Sequence, residues 1–218
     1  MYIAFEGIVG SGKSTQAKKL ADTFRNHPGF LGTPTLPVPD IISIREPGST
    51  PIAEDIRYLA QGKTWETETM NPLTNAYLYA AARAQTLQTI VKPALERGVI
   101  VISDRCFVSS CVIQGEAQGL GINTVLWVNK SAVGKLMPNI ILYLDIDIDT
   151  ALSRTFDEGG DKFEKEGRAF YKKIARGYEK ISKWKKLEGR FVRIDANGSE
   201  EEVFERIVQA LRANIIII

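Results

Sequence analysis

Tyr2-Ile3-Ala4-Phe5-Glu6-Gly7-Ile8-Val9-Gly10-Ser11-Gly12-Lys13-Ser14-Thr15 decides the fold. Tyr2 to Phe5 reads as a buried strand. Leu20 and Phe24, four apart with Ala17 and Ala21 beside them, mark a helix over about Lys13 to Arg25. Between them, Gly7 to Ser14 matches G-x-x-x-x-G-K-[ST] in the strand–loop–helix setting that this motif requires. Its glycines let successive backbone N–H groups converge on phosphate oxygens, and the helix N-terminus adds its positive dipole end. Lys13 reaches the β- and γ-phosphates, and Ser14 can hold Mg²⁺. A flexible turn would account for two of the glycines but not for the Lys13-Ser14 pair. The expectation is a nucleoside triphosphate on Gly7, Gly10, Ser11, Gly12, Lys13, Ser14 and Thr15.

Outward from this motif, short β-branched runs alternate with longer helical stretches, the pattern of βαβ units on a parallel sheet. Strands are predicted at Ile41 to Ile44, Val99 to Ile102, Ile140 to Leu144 and Phe191 to Ile194. Helices are predicted from Pro51 toward Ala60, from Asn71 to Arg97 with Pro93 near the end, from Phe170 to Leu187 and from Ser199 to Asn214. Ser199 with Glu202 forms a capping-box pair. Four prolines and two glycines make residues 27–39 a surface connection. The charge-rich stretch from Asp157 to Gly167 reads as a mobile flap. No internal repeat or linker divides the chain, so residues 1–218 are expected to form one domain.

Composition narrows the chemistry. With 28 basic and 26 acidic residues the net charge is +2, too even for a field that draws in nucleic acid or a membrane surface. A membrane span needs about 20 apolar residues, and Val99 to Ile102 and Ile140 to Leu144 are far shorter. No secretory signal is legible at the start. Cys106 and Cys111, five apart, suit neither a disulfide framework nor a zinc site and fit a reducing compartment. His27, the sole histidine, sits in a His-Pro-Gly turn, which disfavours a Ser-His or Cys-His pair. Chemistry therefore falls to carboxylates, Lys, Arg, hydroxyls and backbone.

Ligands of open α/β sheets bind where strands end. Ile44 leads into Arg45-Glu46-Pro47-Gly48-Ser49-Thr50, Ile102 into Asp104-Arg105, and Leu144 into Asp145. Arg45 and Arg105 at such ends can clamp a second phosphate facing the glycine-rich loop, since guanidinium forks match phosphate oxygens.

These segments, with Ala80-Ala81-Ala82-Arg83, Pro138-Asn139, Gly177-Tyr178 and Ile194-Asp195-Ala196, fall in the order and spacing of a known family. Over nearly its whole length the chain resembles the thymidylate kinases among the P-loop nucleoside-monophosphate kinases. The resemblance implies a three-layer α/β/α fold with a five-stranded parallel sheet and a lid at about 155–168. It also implies transfer of the γ-phosphate of ATP to dTMP with Mg²⁺, a cytoplasmic setting and a homodimer. Arg45 and Arg105 fall to the acceptor phosphate, Arg83 to the nucleobase edge, and Tyr79 to stacking on the base. Ser110 and Gln114 lie near the base, and Arg154 lies over the donor adenine. Lys13, Arg105 and Lys162 neutralise developing charge, while Asp104 joins Ser14 at the metal by ordering its water shell. Tyr79 and Arg83 also share a helix face by their spacing of four.

Departures from the family pattern bear on selectivity and rate. Val9 stands where a carboxylate is usual, and Ile113 replaces the aromatic that crowds a ribose 2′-hydroxyl. Gly10 stands at one usual place of a catalytic arginine, and Thr155 to Asp161 has no Arg or Lys. Two alternatives follow: a kinase for another nucleoside monophosphate, or a nucleotide-binding protein with weak transferase activity.

Overall fold

The computed structural model describes residues 1–27, 40–62, 68–155 and 167–215. The connection expected at 27–39, beyond His27, and the lid at 156–166 with Lys162 lie outside the described residues. Five strands form one parallel sheet in the order β2-β3-β1-β4-β5: β1 Tyr2–Glu6, β2 Ile41–Arg45, β3 Ile100–Asp104, β4 Ile140–Asp145 and β5 Phe191–Asp195. Strands covered on both faces read as unbroken apolar runs. β1 is buried along its whole length, and β4 is buried from Ile140 to Leu144. The outer strands β2 and β5 are only partly covered.

Register brings the strand ends level. Phe5 and Arg45 both stand opposite Asp104, one on each side of β3. The chain leaves β1 to build β2 on one side and later crosses to β4 on the other. The glycine-rich loop thus opens at the point where the strand order reverses, the usual ligand crevice of such sheets.

Helices cover both faces. α1 Lys13–Asn26 buries Ala17, Leu20, Ala21 and Phe24 and packs beside α9 Glu200–Ile215, which covers β5. α9 begins with the expected capping box: the Ser199 N–H donates to the Glu202 carboxylate at 2.8 Å, and the Glu202 N–H donates to the Ser199 hydroxyl at 3.3 Å. The remaining helices are α2 Pro51–Ala60, α3 Pro72–Thr86, α4 Lys92–Glu96, α5 Phe107–Ser110, α6 Ile122–Val133, α7 Ile148–Thr155 and α8 Gly167–Ile181.

Two predicted helices are more articulated than their periodicity suggested. Asn71 caps α3 through its side chain, and Pro72 occupies the first turn. α3 then passes through a π-helical stretch, Leu87–Val91, into α4. The widened turn precedes Pro93, whose ring clashes with an ordinary i−4 carbonyl. The helix expected over Phe170 to Leu187 stops at Ile181, and a short 3₁₀ turn, Lys185–Leu187, follows.

Candidate active site

A cleft of about 760 Å³ opens along the C-terminal ends of β1, β2 and β3. Every nominated site residue among those described lines it: the loop from Gly7 to Thr15, Arg45, Tyr79, Arg83, Asp104, Arg105, Ser110, Gln114 and Arg154.

The loop is shaped for an anion. A Cβ on Gly7 would meet the Ser11 hydroxyl at 2.6 Å and the Leu144 carbonyl at 2.7 Å, so only glycine fits there. Gly12 precedes α1 in the left-handed conformation, and neither a side-chain cap nor an acidic residue occupies the first turn of that helix. The first N–H groups of α1 and its dipole therefore face the cleft unopposed. Lys13 is buried and folds across the loop, donating to the Ile8 carbonyl at 2.6 Å and to the Ser11 hydroxyl at 3.3 Å. Burial pushes its ammonium down to about 7, and the nearby Arg105 guanidinium adds to the push against Asp104 and Glu6.

The Ser14 hydroxyl donates to Asp104 Oδ2, joining the loop to the end of β3. Asp104 Oδ1 is buried and has no hydrogen-bond partner among the described residues. A hydroxyl beside a carboxylate with an unused oxygen suits a hard divalent cation that takes its remaining ligands from phosphate and water. No cluster of three or more His, Cys, Asp or Glu that could hold a metal by itself occurs among the described residues.

Arg105 adopts φ +75°, unusual for a non-glycine residue. Such strain persists where the surroundings over-determine it. The Arg105 N–H donates to the Phe5 carbonyl at 2.9 Å, while Nη1 donates to the Gly7 carbonyl at 3.2 Å and to the Ser109 hydroxyl at 2.9 Å. Beneath them lies Glu6, fully buried. It accepts from the N–H groups of Cys106 and Ser109, the Ser109 hydroxyl and the Tyr178 hydroxyl, at 2.7–3.0 Å. Gly7 in turn donates its N–H to Tyr178 at 3.1 Å. This network ties the glycine loop to the Asp104-Arg105 turn.

Arg83 is fully buried, and its guanidinium spans three partners. Nε donates to Glu46 at 2.8 Å, Nη1 to Asn129 at 2.5 Å and Nη2 to the Cys106 carbonyl at 3.3 Å. Glu46 also accepts from the Tyr2 hydroxyl. Burial pushes the Glu46 carboxyl up, while Arg83 and Tyr2 favour its charged form. Tyr79 stands one turn before Arg83 at the same cleft wall. Arg154 leans over the loop, with Nη1 3.4 Å from the Gly10 carbonyl and Nη2 3.4 Å from that of Gly198.

Sequence reasoning passed over Arg57 on α2, Gln61 just past the end of that helix, and Ser109, all of which line the cleft. For Arg57 the only available signal was its distance of twelve residues from Arg45, which means nothing until α2 folds back over the strand end.

Comparison with known proteins was consistent throughout. A family model described as thymidylate kinase matches residues 5–207. A thymidylate kinase from Finegoldia magna is 37% identical over 220 residues, covering 100% of both chains. One from Bacillus licheniformis is 38% identical over 223 residues, covering 98% of each. The crystal structure of thymidylate kinase from Ehrlichia chaffeensis superposes with a TM-score of 0.74 at 26% identity, covering 97% of this chain and 98% of that one.

Proposed function

The chain belongs to the thymidylate kinase family, and we propose that its cleft sets ATP on the glycine loop against dTMP held by Arg45 and Arg105. Membership makes it an ATP-dependent nucleoside-monophosphate kinase that converts ATP and dTMP to ADP and dTDP. The observation that carries the assignment of sites is the level register of Phe5 and Arg45 with Asp104. It supports that reading by bringing the loop with Lys13 and the two arginines to one cleft.

Phosphoryl transfer asks mainly for positioning and charge stabilisation. Lys13 and the α1 N-terminus hold the β- and γ-phosphates of ATP, and Arg154 lies over the adenine. Arg45 and Arg105 aim a phosphate oxygen of dTMP at the γ-phosphorus. A P–O bond forms there as the bond to the β-phosphate oxygen breaks, leaving ADP. Tyr79, Arg83, Ser110 and Gln114 hold the base. The family works with a divalent metal, and the residues that would hold Mg²⁺ here are Ser14 and Asp104. Held there, such an ion would supply positive charge to offset that of the phosphates.

The further reading is of one catalytic unit, residues 1–218 with the lid near 155–168, acting in the cytoplasm as a homodimer. What supports the dimer is a group of exposed apolar side chains: Ile52, Tyr58 and Leu59 on α2, Leu73 and Tyr77 on α3, and Trp127 on α6. These three helices pack side by side, and such a surface suits a second copy of the chain. Among the described residues no helix is long and apolar enough to cross a membrane.

The test is ADP release against a panel of nucleoside monophosphates, run beside Lys13→Ala. The expected result is highest kcat/KM with dTMP, and loss of turnover in Lys13→Ala with an unchanged circular dichroism spectrum. Preference for another monophosphate, or turnover near wild type in the variant, overturns the assignment.

A further inference from the structure

Asn75 lies on α3 at a spacing of four before Tyr79 and eight before Arg83, so it shares their face of the helix. It is buried, and both ends of its amide are committed. Nδ2 donates to the Ala60 carbonyl at 2.6 Å, and Oδ1 accepts from Gln114 Nε2 at 3.0 Å.

The direction of this relay follows from elementary hydrogen-bond chemistry. Ala60 is the last residue of α2, so its carbonyl has no partner within that helix. A carbonyl oxygen only accepts, so the atom of Asn75 facing it must be the nitrogen. The Asn75 oxygen is then turned toward Gln114, which can answer only with its own NH₂. Gln114 Oε1 is left over. Gln114 lines the cleft, and among the described residues no group donates to that oxygen. Backbone bonds fix the stretch that carries it, with the Leu120 N–H on the Gln114 carbonyl at 3.2 Å and the Gly121 N–H on the Gly115 carbonyl at 2.7 Å.

We propose that Asn75 is a positioning residue for the acceptor base: by locking the Gln114 amide in one orientation, it makes Gln114 an acceptor that demands a ring N–H from the substrate. The inference rests on the reading of the cleft as the dTMP site and adds the device that sets its polarity. Arg83, which lines the same cleft, can only donate. A donor beside an acceptor matches a pyrimidine with a carbonyl oxygen next to a protonated ring nitrogen, as in thymine and uracil. Cytosine presents the reverse, an amino group next to a bare ring nitrogen. A Gln114 amide free to rotate would meet that bare nitrogen with its NH₂. Asn75 forbids this rotation without touching the substrate.

The experiment compares kcat/KM and equilibrium binding for dTMP, dUMP and dCMP in the wild type, Asn75→Leu and Asn75→Asp. Asn75→Ala replaces the leucine variant if that one does not fold. Leucine fills the space but releases the Gln114 amide, so the dTMP-to-dCMP ratio is expected to fall about tenfold while dTMP-to-dUMP stays constant. Aspartate still accepts from Gln114 Nε2, so its ratio is expected to stay within about twofold of wild type even if its Tm drops. An unchanged ratio in the apolar variant overturns the proposal, as does an equal fall in both variants, which would signify disturbed packing. Absence of dTMP turnover in the wild type would instead refute the underlying assignment of the cleft.

Discussion

Arg45 donates through Nη2 to both carboxylate oxygens of Glu54, at 2.8 and 2.9 Å. Nε and Nη1 have no partner among the described residues, so the guanidinium is held at one end and open at the other. Glu54 is itself fixed by the Ser49 N–H at 2.8 Å. Partial burial opposes its charge, yet the Ser49 N–H and the Arg45 guanidinium hold its carboxyl below the ordinary range. Charge-assisted hydrogen bonds are worth roughly 1.5–3 kcal/mol, so Arg45→Ala is expected to weaken acceptor use about tenfold or more. The KM for ATP should change much less. Glu54→Gln, which loosens the anchor but keeps the arginine, is expected to raise the acceptor KM by less than Arg45→Ala does. Steady-state kinetics with each substrate varied checks this, and equal movement of both KM values contradicts separate donor and acceptor sites.

Lys13 ties nucleotide binding to pH. Its ammonium is pushed to about 7 in the fold, chiefly by burial and then by Arg105, against an ordinary 10.5. Between those values the ligand-free fold binds fewer protons here than the unfolded chain. The penalty for burying the charge is therefore full below about pH 7, and it fades as pH rises toward 10.5. Phosphate oxygens favour the charged ammonium, so ATP binding at pH 8 should take up a proton. Calorimetry in buffers of different ionisation enthalpy measures the uptake, which is expected to approach one proton and to vanish in Lys13→Ala. Identical uptake in the variant removes Lys13 as its source.

The sheet and the loop were legible because each is specified locally. Parallel strands covered on both faces need unbroken apolar runs, and the phosphate loop demands fixed residue types at fixed positions. The helix Ile122–Val133 was missed because Ile122, Thr124, Val125, Val128 and Val133 are β-branched and favour strand. Yet Val125, Val128, Asn129, Ala132 and Val133 are spaced to form the one face that α6 buries, and α6 packs on α3 and the π-helical stretch Cys111–Ala117. The site residues divide the same way. Arg45, Arg105 and Lys13 stand at strand ends or in the motif itself. Asn75, Arg57 and Ser109 acquire meaning only from partners in other segments. Arg83 was assigned from the resemblance, but its burial against Glu46, Asn129 and the Cys106 carbonyl joins three distant segments that no sequence window holds together.

Ile113 sits half-buried on the cleft wall, one residue before Gln114. An aliphatic side chain there fills less space beside the ribose 2′-carbon than an aromatic ring, and a pocket lacking bulk rejects an added hydroxyl only weakly. Ile113→Tyr is expected to raise the ratio of dTMP to UMP turnover. A constant ratio places sugar selection at another residue.

Charge that develops on the transferring phosphoryl group calls for a cation beyond Lys13, worth on the order of 10³-fold or more in other P-loop enzymes. Gly10 offers none, and Thr155 to Asp161 contains no Arg or Lys. Arg168, at the start of α8, is engaged with Asp149 at 2.9 Å on the exposed surface. Lys162 is the first cation of the lid sequence, with Lys165 and Arg168 three and six residues behind it. A lysine brings a point charge without the planar fork of arginine, so it serves a phosphoryl group less well. Lys162→Ala is therefore expected to lower kcat with little change in either KM, and Lys162→Arg to match or exceed wild type. If Lys162→Ala leaves kcat intact while Arg168→Ala abolishes it, the role belongs to Arg168, released from Asp149 during turnover. If neither variant changes kcat, transfer proceeds without a lid cation, and charge stabilisation falls to the groups at the strand ends, Lys13 and Arg105 first among them.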